Sequence, residues 1–191
     1  MKTLFDLCTI SEGTFGSGTI CVNAKARFGD EHRMEERLLL DSEYTLLRGG
    51  PDSSFRGLLK EVNVNAVRKI GREDLRNLCT CVPEAHRKNA VFLMNAVTLH
   101  ELYLSSEGIS AQEDGFRLMD IPVMMTDAMP CIAEGSVPVL YGDFSQIVIE
   151  DCGRGELVKG ADGCSLSCRM NCRIADREAV RGMMITAPEA E

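Results

Sequence analysis

Hydrophobic residues recur at the spacing of a helix between residues 31 and 50. Met34 and Leu38 are four residues apart, as are Leu40 and Tyr44, and Leu47 follows three residues later, with charged residues among them. A Gly-Gly-Pro sequence follows at 49–51, and it is a typical stop because glycine accepts the left-handed cap and proline cannot continue a helix. The pattern predicts an amphipathic helix that ends at the two glycines.

Two further stretches also predict helices. In residues 72–82 the apolar positions follow the i, i+3, i+4, i+7 series, and Pro83 ends the pattern. A third helix is predicted from Thr98 to Gly108, because Thr98 and Glu101 have the spacing of a capping box. The inner faces of these two helices are predicted to carry Leu75, Leu78, Cys79 and Val82 in one, and Leu99, Leu102 and Tyr103 in the other.

A continuous apolar run predicts a buried strand at 90–94, and two further strands are predicted at 121–127 and 137–144. A β-hairpin is predicted over 145–160, since two strand-like segments flank the glycine-containing turn at 152–155. Helices and strands alternate without a repeating β-α-β order. The predicted fold class is therefore α+β rather than a doubly wound parallel sheet.

The strongest strand signal is at residues 163–174, where apolar and polar positions alternate throughout. The apolar positions are Cys164, Leu166, Cys168, Met170, Cys172 and Ile174. In an extended strand, neighbouring cysteines of this set are about 13 Å apart and the first and last about 26 Å apart, at ~3.3 Å per residue. A zinc ion holds each sulfur at about 2.3 Å, so one ion cannot bind all three. The pattern favours thiols packed as small hydrophobic groups over a metal or iron–sulfur site.

Composition narrows the possible functions. The chain has 191 residues, enough for one domain or two small ones, and a net charge of −8. This acidic balance argues against a nucleic-acid groove, which needs clustered Lys and Arg. The nine cysteines and the lack of a signal-peptide pattern at the start predict free thiols in a reducing cytoplasm. No apolar run approaches the length of about 18 residues that a membrane-spanning helix needs.

Candidate ligands and nucleophiles are sparse. Cys79, Cys81 and His86 are close in sequence, but a C-x-C pair with one histidine lacks the fourth ligand of a zinc finger. His32 and His100 lie in predicted helices among charged residues, which is typical of solvated histidines. A Cys–His nucleophile pair remains an alternative, because the two residues of such a pair need not be close in sequence and are brought together by the fold.

Acidic and glycine-rich segments add no clear site. Glu150 and Asp151 are adjacent in a predicted strand, so they point to opposite faces. Asp143, in a Gly-Asp-Phe turn, is expected to bond nearby backbone N–H groups. The glycine-rich residues 13–19 lack the Lys-Ser or Lys-Thr ending of a phosphate-binding P-loop. We therefore predict no catalytic residue, no metal ligand and no cofactor. The methionines between 119 and 129 are interpreted as core residues, with an adaptable contact face as the alternative.

The order of several segments resembles the major capsid protein family of tailed phages, which has the Hong-Kong-97-like fold. The most specific parts are Met94-Asn95 after an apolar strand, the Asp-Ala-Met-Pro segment at 127–130 and Gly-Asp-Phe before a strand. The resemblance covers about residues 35 to 187 and rests on these segments: FRGLL, EDLRNL, AVFLMNAVTLHEL, IPVMMTDAMP, VPVLYGDFSQIVIED and CRMNCRIADREAV.

The resemblance implies a structural shell subunit rather than an enzyme. It implies a peripheral domain at 31–60 and 147–174, with a long helix and long strands, and an axial domain at 61–146 and 175–187 with a mixed sheet and flanking helices. Residues 1–30 are expected to be a remnant of the N-terminal arm and extended loop, and 188–191 a tail. This shortening suggests a prophage version of the protein.

The resemblance also implies partners and a location. The chain is expected to associate with itself into hexamers and pentamers around packaged DNA, with scaffold, maturation protease and portal proteins as further partners. No sequence-specific nucleic-acid binding and no membrane association are expected. Its location is the virion capsid, and the host bacterial cytoplasm before assembly. Some relatives form a Lys–Asn isopeptide bond, but Gly163-Cys164 at the matching strand start has no asparagine, so we expect none here.

Three alternatives remain open at this level. One is the shell protein of a cellular nanocompartment, similar to an encapsulin, which shares the fold. Another is a cysteine-dependent or metal-dependent enzyme. The third is an inert binding module left from a degraded gene.

Overall fold

The chain forms two compact units. The computed structural model describes residues 3–13, 19–26, 33–50, 55–105, 109–112, 115–154, 158–160 and 163–187. The five-strand unit contains residues 8–61 and 147–175, and the seven-strand unit contains residues 1–7, 62–146 and 176–191. Each unit therefore joins segments that are far apart in sequence. Within these described ranges, none of the helices combines the length and the apolar character needed to span a membrane.

The elements alternate irregularly along the chain, as an α+β fold predicts. The helices are α1 (Met34–Arg48), α2 (Leu58–Glu61), α3 (Arg72–Cys81), α4 (Glu84–Arg87) and α5 (Ala96–Leu104), with short 3-10 turns at Leu4–Leu7 and Phe144–Gln146. The strands are β1 (Thr9–Glu12), β2 (Ile20–Ala26), β3 (Asn63–Val67), β4 (Val91–Met94), β5 (Ile109–Gln112), β6 (Gly115–Leu118), β7 (Ile121–Met125), β8 (Val139–Gly142), β9 (Ile147–Arg154), β10 (Val158–Gly160), β11 (Gly163–Ile174) and β12 (Val180–Ile185).

The first predicted helix is confirmed as α1, which packs against β2 and β11. Of the apolar residues in the sequence pattern, Met34, Leu38 and Leu47 are buried, and each contributes about 1.5–3 kcal/mol when fully buried. Leu40 and Tyr44 are only half-buried. The helix ends where predicted: Gly49 has φ +85° and its N–H donates to the Thr45 carbonyl at 2.8 Å. Residues 31 and 32 of the prediction lie outside the described residues. The buried apolar side chains are Met34, Leu38, Leu46 and Leu47.

The alternating segment is confirmed as β11, the longest strand of the chain. It pairs with β2 along one edge and with β9 and β10 along the other, always antiparallel. Cys164 and Met170 are buried against the helix side, while Arg169 and Arg173 are exposed. The register with β9 shifts between Cys168 and Met170, where two steps along β11 face three steps along β9, from Arg154 to Asp151, so β9 carries a bulge that increases the local twist.

The predicted hairpin at 145–160 is wrong in its pairing. Both segments are strands, but β10 pairs with β11, with Gly160 opposite Gly163, so only two residues connect that pair. β9 cannot also pair with β10, because β11 is paired along one edge of β9 and β1 is paired, in parallel, along the other. The strands β1 and β2, for which the sequence pattern gave no prediction, complete this sheet in the order β1-β9-β11-β10, with β2 also beside β11.

The seven-strand sheet has the order β3-β12-β8-β4-β7-β6-β5. The pairs β3–β12 and β4–β7 are parallel, and the others are antiparallel. The predicted strands at 90–94, 121–127 and 137–144 are confirmed as β4, β7 and β8. The rings of Phe92 and Tyr141 pack in the core of this unit with their centroids 4.8 Å apart. The second predicted helix is confirmed as α3, with Leu75 and Leu78 buried.

The predicted capping box at Thr98 is wrong. α5 begins at Ala96, and its cap is Asn95, whose Oδ1 accepts the N–H of Val97 at 2.7 Å. Asn95 takes this role because it follows β4 directly in an extended conformation, the geometry that a capping residue needs. Thr98 is instead fully buried within the helix, and Tyr103, predicted on the inner face, is 56% exposed. Leu99 and Leu102 are buried as predicted.

Candidate functional site

The thiols of β11 are spread along the strand. Cys164 is buried, while Cys168 and Cys172 are half-buried. Cys168 Sγ lies 3.2 Å from Ser42 Oγ on α1. Burial raises the pKa of the Cys172 thiol to about 12, which keeps it protonated at neutral pH. Packing against α1 therefore accounts for these positions better than ligation, which requires thiolates.

A further thiol, Cys8, lies near Cys172 in the five-strand unit. Burial raises the pKa of Cys8 well above the ordinary thiol value, and the neighbouring Cys172 and Glu43 act in the same direction. Glu43 is itself only 5% exposed. Because a nearby carboxylate disfavours a second negative charge, this cluster is the opposite of the environment that activates a nucleophilic cysteine.

Cys79, Cys81 and His86 do not converge. Burial raises the pKa of Cys79 to about 11, although its hydrogen bond with Tyr141 works in the opposite direction. Cys81 is exposed, and its sulfur accepts from Asn65 Nδ2 at 3.4 Å. His86 faces two carboxylates elsewhere in the seven-strand unit. Among the residues that the structure describes, no group of three or more His, Cys, Asp and Glu side chains is arranged to hold a metal ion.

The two carboxylates that His86 contacts come from loops that are far apart in sequence. His86 Nε2 lies 3.0 Å from Asp176 Oδ2, and Nδ1 lies 3.6 Å from Asp143 Oδ2. The pKa of Asp176 lies below its ordinary value, first because its carboxylate accepts the N–H of Glu178 and then because it bonds to His86. The predicted turn at Asp143 is confirmed, since its Oδ1 accepts both the N–H and the hydroxyl of Ser145, at 3.1 and 2.6 Å.

The other singled-out residues stand apart from this cluster. Glu150 accepts from Asn171 Nδ2 at 3.2 Å and lies 3.8 Å from Arg173, whereas Asp151 accepts the N–H of Gly153 at 2.8 Å. Each of the two carboxylates thus makes its own separate contacts. His100 is exposed on α5. His32 and residues 14–18 of the glycine-rich segment lie outside the described residues.

The methionine-rich stretch is divided between core and surface. Met124 and Met129 are buried, Met119 is half-buried, and Met125 is 40% exposed. Met125 is the register partner of Met94, one residue before the cap of α5. The core interpretation thus holds for Met124 and Met129, whereas Met125 lies at the surface.

Three of the large hydrophobic residues that are exposed in the described part of the chain lie on α5. Val97 is 50% exposed and Leu104 is 69% exposed. These two residues are seven positions apart, so they lie above one another on the outward side of the helix, with His100 between them. Tyr103 adds an aromatic ring on the flank. We name this set of residues, Val97, His100, Tyr103 and Leu104, the α5 face.

Sequence reasoning missed the α5 face because it assigned Tyr103 to the interior. The signal that was available is the excess of apolar residues on both sides of the helix, in AVTLHELYL. A surface helix normally has charged residues on its outer side. On α5 the exposed apolar residues lie beside the exposed Glu101, which makes this side of the helix a candidate for contact with another molecule.

Comparison with known proteins gives one consistent result. The sequence profile of the phage capsid family matches residues 31–180. No curated protein sequence matches the chain. Among solved structures, the capsid of an empty GTA particle is similar, with a TM-score of 0.70 and 16% identity, covering 97% of this chain and 90% of that one.

Two other solved structures are similar to this chain. Gordonia phage Cozz has a TM-score of 0.60 at 11% identity, covering 97% of this chain and 86% of that one. The holo-SrpI encapsulin complex from Synechococcus elongatus PCC 7942 has a TM-score of 0.58 at 13% identity, covering 88% of this chain and 73% of that one. At these identities the likeness concerns the fold, which is the α+β, Hong-Kong-97-like capsid fold. Since the family profile covers most of the sequence, the resemblance found in the segment order is confirmed, and the chain belongs to the phage capsid family.

Proposed function

We propose that this chain is a structural subunit of a capsid shell, which associates with copies of itself into hexamers and pentamers around packaged DNA. The observation that carries this proposal is the match of the phage capsid family over residues 31–180. The fold of the capsid of an empty GTA particle, which is similar to this chain, supports the same assignment. The thiols with raised pKa values support a structural role rather than a cysteine-dependent enzyme.

We propose that the two units correspond to the two parts of a capsid subunit. The five-strand unit has the long helix and the long strand expected of a peripheral part. The seven-strand unit has the mixed sheet and flanking helices expected of an axial part. Residues 1–30 are proposed to be the remnant of the arm and extended loop, although 9–12 and 20–26 are strands of the five-strand sheet.

The α5 face is our candidate for a contact between copies. Rings of subunits use head-to-tail contacts, in which one patch meets a different patch of the next copy. Apolar and aromatic side chains with one histidine suit the central part of such a contact, because they release water on association. Burying Leu104 and Tyr103 against a neighbour would remove the largest exposed apolar side chains of this helix from water.

Assembly of the purified chain tests this proposal. Light scattering and negative-stain electron microscopy should show rings or particles for the wild type. Leu104→Glu should shift the chain to smaller species by at least about tenfold in association constant, because a charge in an apolar contact costs more than about 1.4 kcal/mol. Its thermal unfolding should change little, since Leu104 is 69% exposed. Thr80→Glu adds the same charge at an exposed position on α3 and should assemble normally.

The outcomes separate the shell proposal from the contact proposal. A wild-type chain that stays monomeric at every concentration would contradict self-association. Normal assembly of Leu104→Glu would leave the shell subunit in place but remove the α5 face as its contact.

A second candidate function is the shell of a nanocompartment, which the likeness to the SrpI encapsulin favours. The contents of particles isolated from the natural host distinguish the two. Nuclease-protected DNA supports the phage shell, whereas a stoichiometric cargo protein without DNA supports the nanocompartment. For the phage shell we propose scaffold, maturation protease and portal proteins as partners, and the host bacterial cytoplasm as the location before assembly.

A further inference from the structure

The sequence of the seven-strand unit has opposite net charges in the segments that form its two edges. Residues 62–89, which contain β3, α3 and α4, have six Lys and Arg against three Asp and Glu. Residues 96–127, which contain α5 and the strands β5 to β7, have six Asp and Glu against one Arg. β3 is the outermost strand on one side of the sheet, and β7, β6 and β5 are the last three strands on the other. The net charge therefore changes sign from one edge of the sheet to the other.

Four exposed charged side chains mark these edges. Lys69 lies between β3 and α3, and Arg72 is the first residue of α3; we name these two residues the basic edge. Glu101 lies on α5, and Asp120 lies in the turn between β6 and β7; we name these two residues the acidic edge. None of the ion pairs between described residues involves any of these four side chains.

The strands at the two edges are too far apart for their charges to neutralise each other within one chain. β3 and β6 are five positions apart in the sheet, and neighbouring strands are about 4.8 Å apart, so about 24 Å separates them. At physiological ionic strength, charges on a protein surface are largely screened beyond about 8 Å. The exposed charges of each edge can thus attract a second molecule.

The acidic edge adjoins the α5 face. Glu101 is four residues after Val97 and three residues before Leu104, so its side chain is next to both on the helix surface. An apolar centre with charged residues around it is the usual composition of a protein–protein contact. The surface that covers the α5 face is therefore expected to carry positive charge.

A second copy of this chain supplies such a surface. If two copies met through the same patch, the acidic edge of one would face the acidic edge of the other, and contacts between like charges are unfavourable. In a head-to-tail contact one patch meets a different patch of the next copy, which brings the acidic edge to the basic edge. The phosphates of a nucleic acid do not fit the α5 face, because Glu101 and Asp120 repel them.

We propose that the acidic edge and the α5 face of one copy dock against the basic edge of the next copy, head to tail around a ring. The inference rests on the proposed function, because it names the surface that the α5 face meets when copies associate. Opposite charges in such a contact guide the copies into one orientation and increase the rate of association. Every copy presents one edge of each sign, so the contact repeats in rings of five and of six copies alike.

Reversing the charge of one edge tests the contact. The acidic-edge variant is Glu101→Lys with Asp120→Asn, since asparagine accepts the left-handed backbone of Asp120 at φ +65°. The basic-edge variant is Lys69→Glu with Arg72→Glu, and a glutamate suits the first turn of α3. In sedimentation velocity of the full chain at low salt, each variant alone should associate at least about tenfold more weakly than the wild type, because like charges then meet. Thermal unfolding of both variants should stay close to that of the wild type, since all four positions are exposed.

A mixture of the two variants distinguishes a changed contact from a damaged fold. In the mixture, each copy finds an opposite charge only on the other variant, so association should recover. Because the two variants have to alternate around a ring, the rings should contain even numbers of copies, which allows hexamers and excludes pentamers. The chain with all four substitutions reverses the polarity of both edges and should form both kinds of ring. Negative-stain electron microscopy counts the copies in each ring.

A matched control and the wild type separate the possible failures. Lys25→Glu with Arg37→Glu changes the net charge as the basic-edge variant does, but at exposed positions of the five-strand unit, and should associate like the wild type. A wild-type chain that never associates would contradict the proposed function and this contact together. If the wild type forms rings, three results leave the shell subunit in place and overturn the head-to-tail contact. These are edge variants that associate as well as the wild type, a control that weakens association as much as they do, and no recovery in the mixture or in the fourfold variant.

Discussion

Replacing Gly142 by alanine places a methyl group against the backbone of the neighbouring strand. Gly142 is the last residue of β8, with Val91 of β4 on one side and Val180 of β12 on the other. A Cβ atom at Gly142 would lie 2.1 Å from the Ala179 carbonyl oxygen and 2.6 Å from Val180 Cα. Both are main-chain atoms of a paired strand, so no side-chain rotation relieves the clash.

The expected cost follows from three effects at this position. Overpacking in a rigid core costs about 1–3 kcal/mol. The backbone angle φ of Gly142 is +152°, a conformation that costs an L-residue about 1–3 kcal/mol. Moving the strands apart also weakens the hydrogen bond from the Asp143 N–H to the Ala179 carbonyl, at 2.9 Å, which contributes about 1 kcal/mol. Because relief of the clash shares part of these costs, we expect Gly142→Ala to lower the free energy of unfolding by about 3–5 kcal/mol.

Urea unfolding followed by tyrosine fluorescence and circular dichroism measures this change, with Tyr141 next to the substitution as a reporter. Gly135→Ala is a matched control, because Gly135 also has a positive φ of +73°, but a Cβ atom added there would have nothing within 4 Å. It should lose only about 1 kcal/mol, from backbone strain alone. If Gly142→Ala loses no more than Gly135→Ala, the close approach of β8 to the segment before β12 is wrong.

The remaining predictions concern single residues. Asn95→Ala should lower the free energy of unfolding by about 1 kcal/mol, because the N–H of Val97 loses its cap. Thr98→Val should be neutral or stabilising, because the buried Thr98 hydroxyl has no hydrogen-bond partner among the described residues. Urea unfolding compares the two variants, and a larger loss for Thr98→Val would restore the capping box. Labelling with a thiol reagent at about pH 8, followed by mass spectrometry, should modify the exposed Cys21, Cys81 and Cys131 at least about tenfold faster than Cys79 and Cys172. The reason is that burial raises the pKa of Cys79 to about 11 and that of Cys172 to about 12. Equal labelling rates would mean that Cys79 and Cys172 are not buried. The rate at Cys79 should increase as the pH rises towards that value, because only the thiolate reacts.

The elements with a clear period were determined by the sequence alone. The 3.6-residue repeat from Met34 onwards and the Gly-Gly stop fix α1, since both act over a few neighbouring residues. The same holds for β11, whose twelve residues alternate because a strand presents successive side chains to opposite faces. Short buried runs such as VFLM in β4 were also predictable, because a fully buried strand is apolar on both faces.

Local competition decided the start of α5. Asn95 and Thr98 both have side chains that can cap a helix, so the sequence allows α5 to begin after either residue. The tertiary structure selects Asn95, because it is placed at the end of β4 and its amide also donates to the Met129 carbonyl at 3.3 Å. The same choice moves Thr98 into the core and leaves Tyr103 exposed, which is why the α5 face was not predicted.

Strand pairing and the His86 cluster were decided by the tertiary structure. β1 and β3 are short edge strands whose parallel partners, β9 and β12, lie far away along the chain, so no local turn specifies them. β10 follows β9 but pairs with β11, because both edges of β9 are occupied. His86 meets Asp176 across 90 positions of sequence, and only the return of the chain into the seven-strand unit brings them together. The periodicity of a segment indicates which of its faces is buried, because it depends on neighbouring residues only. Strand pairing and charge contacts between distant segments depend on the tertiary structure of the whole chain.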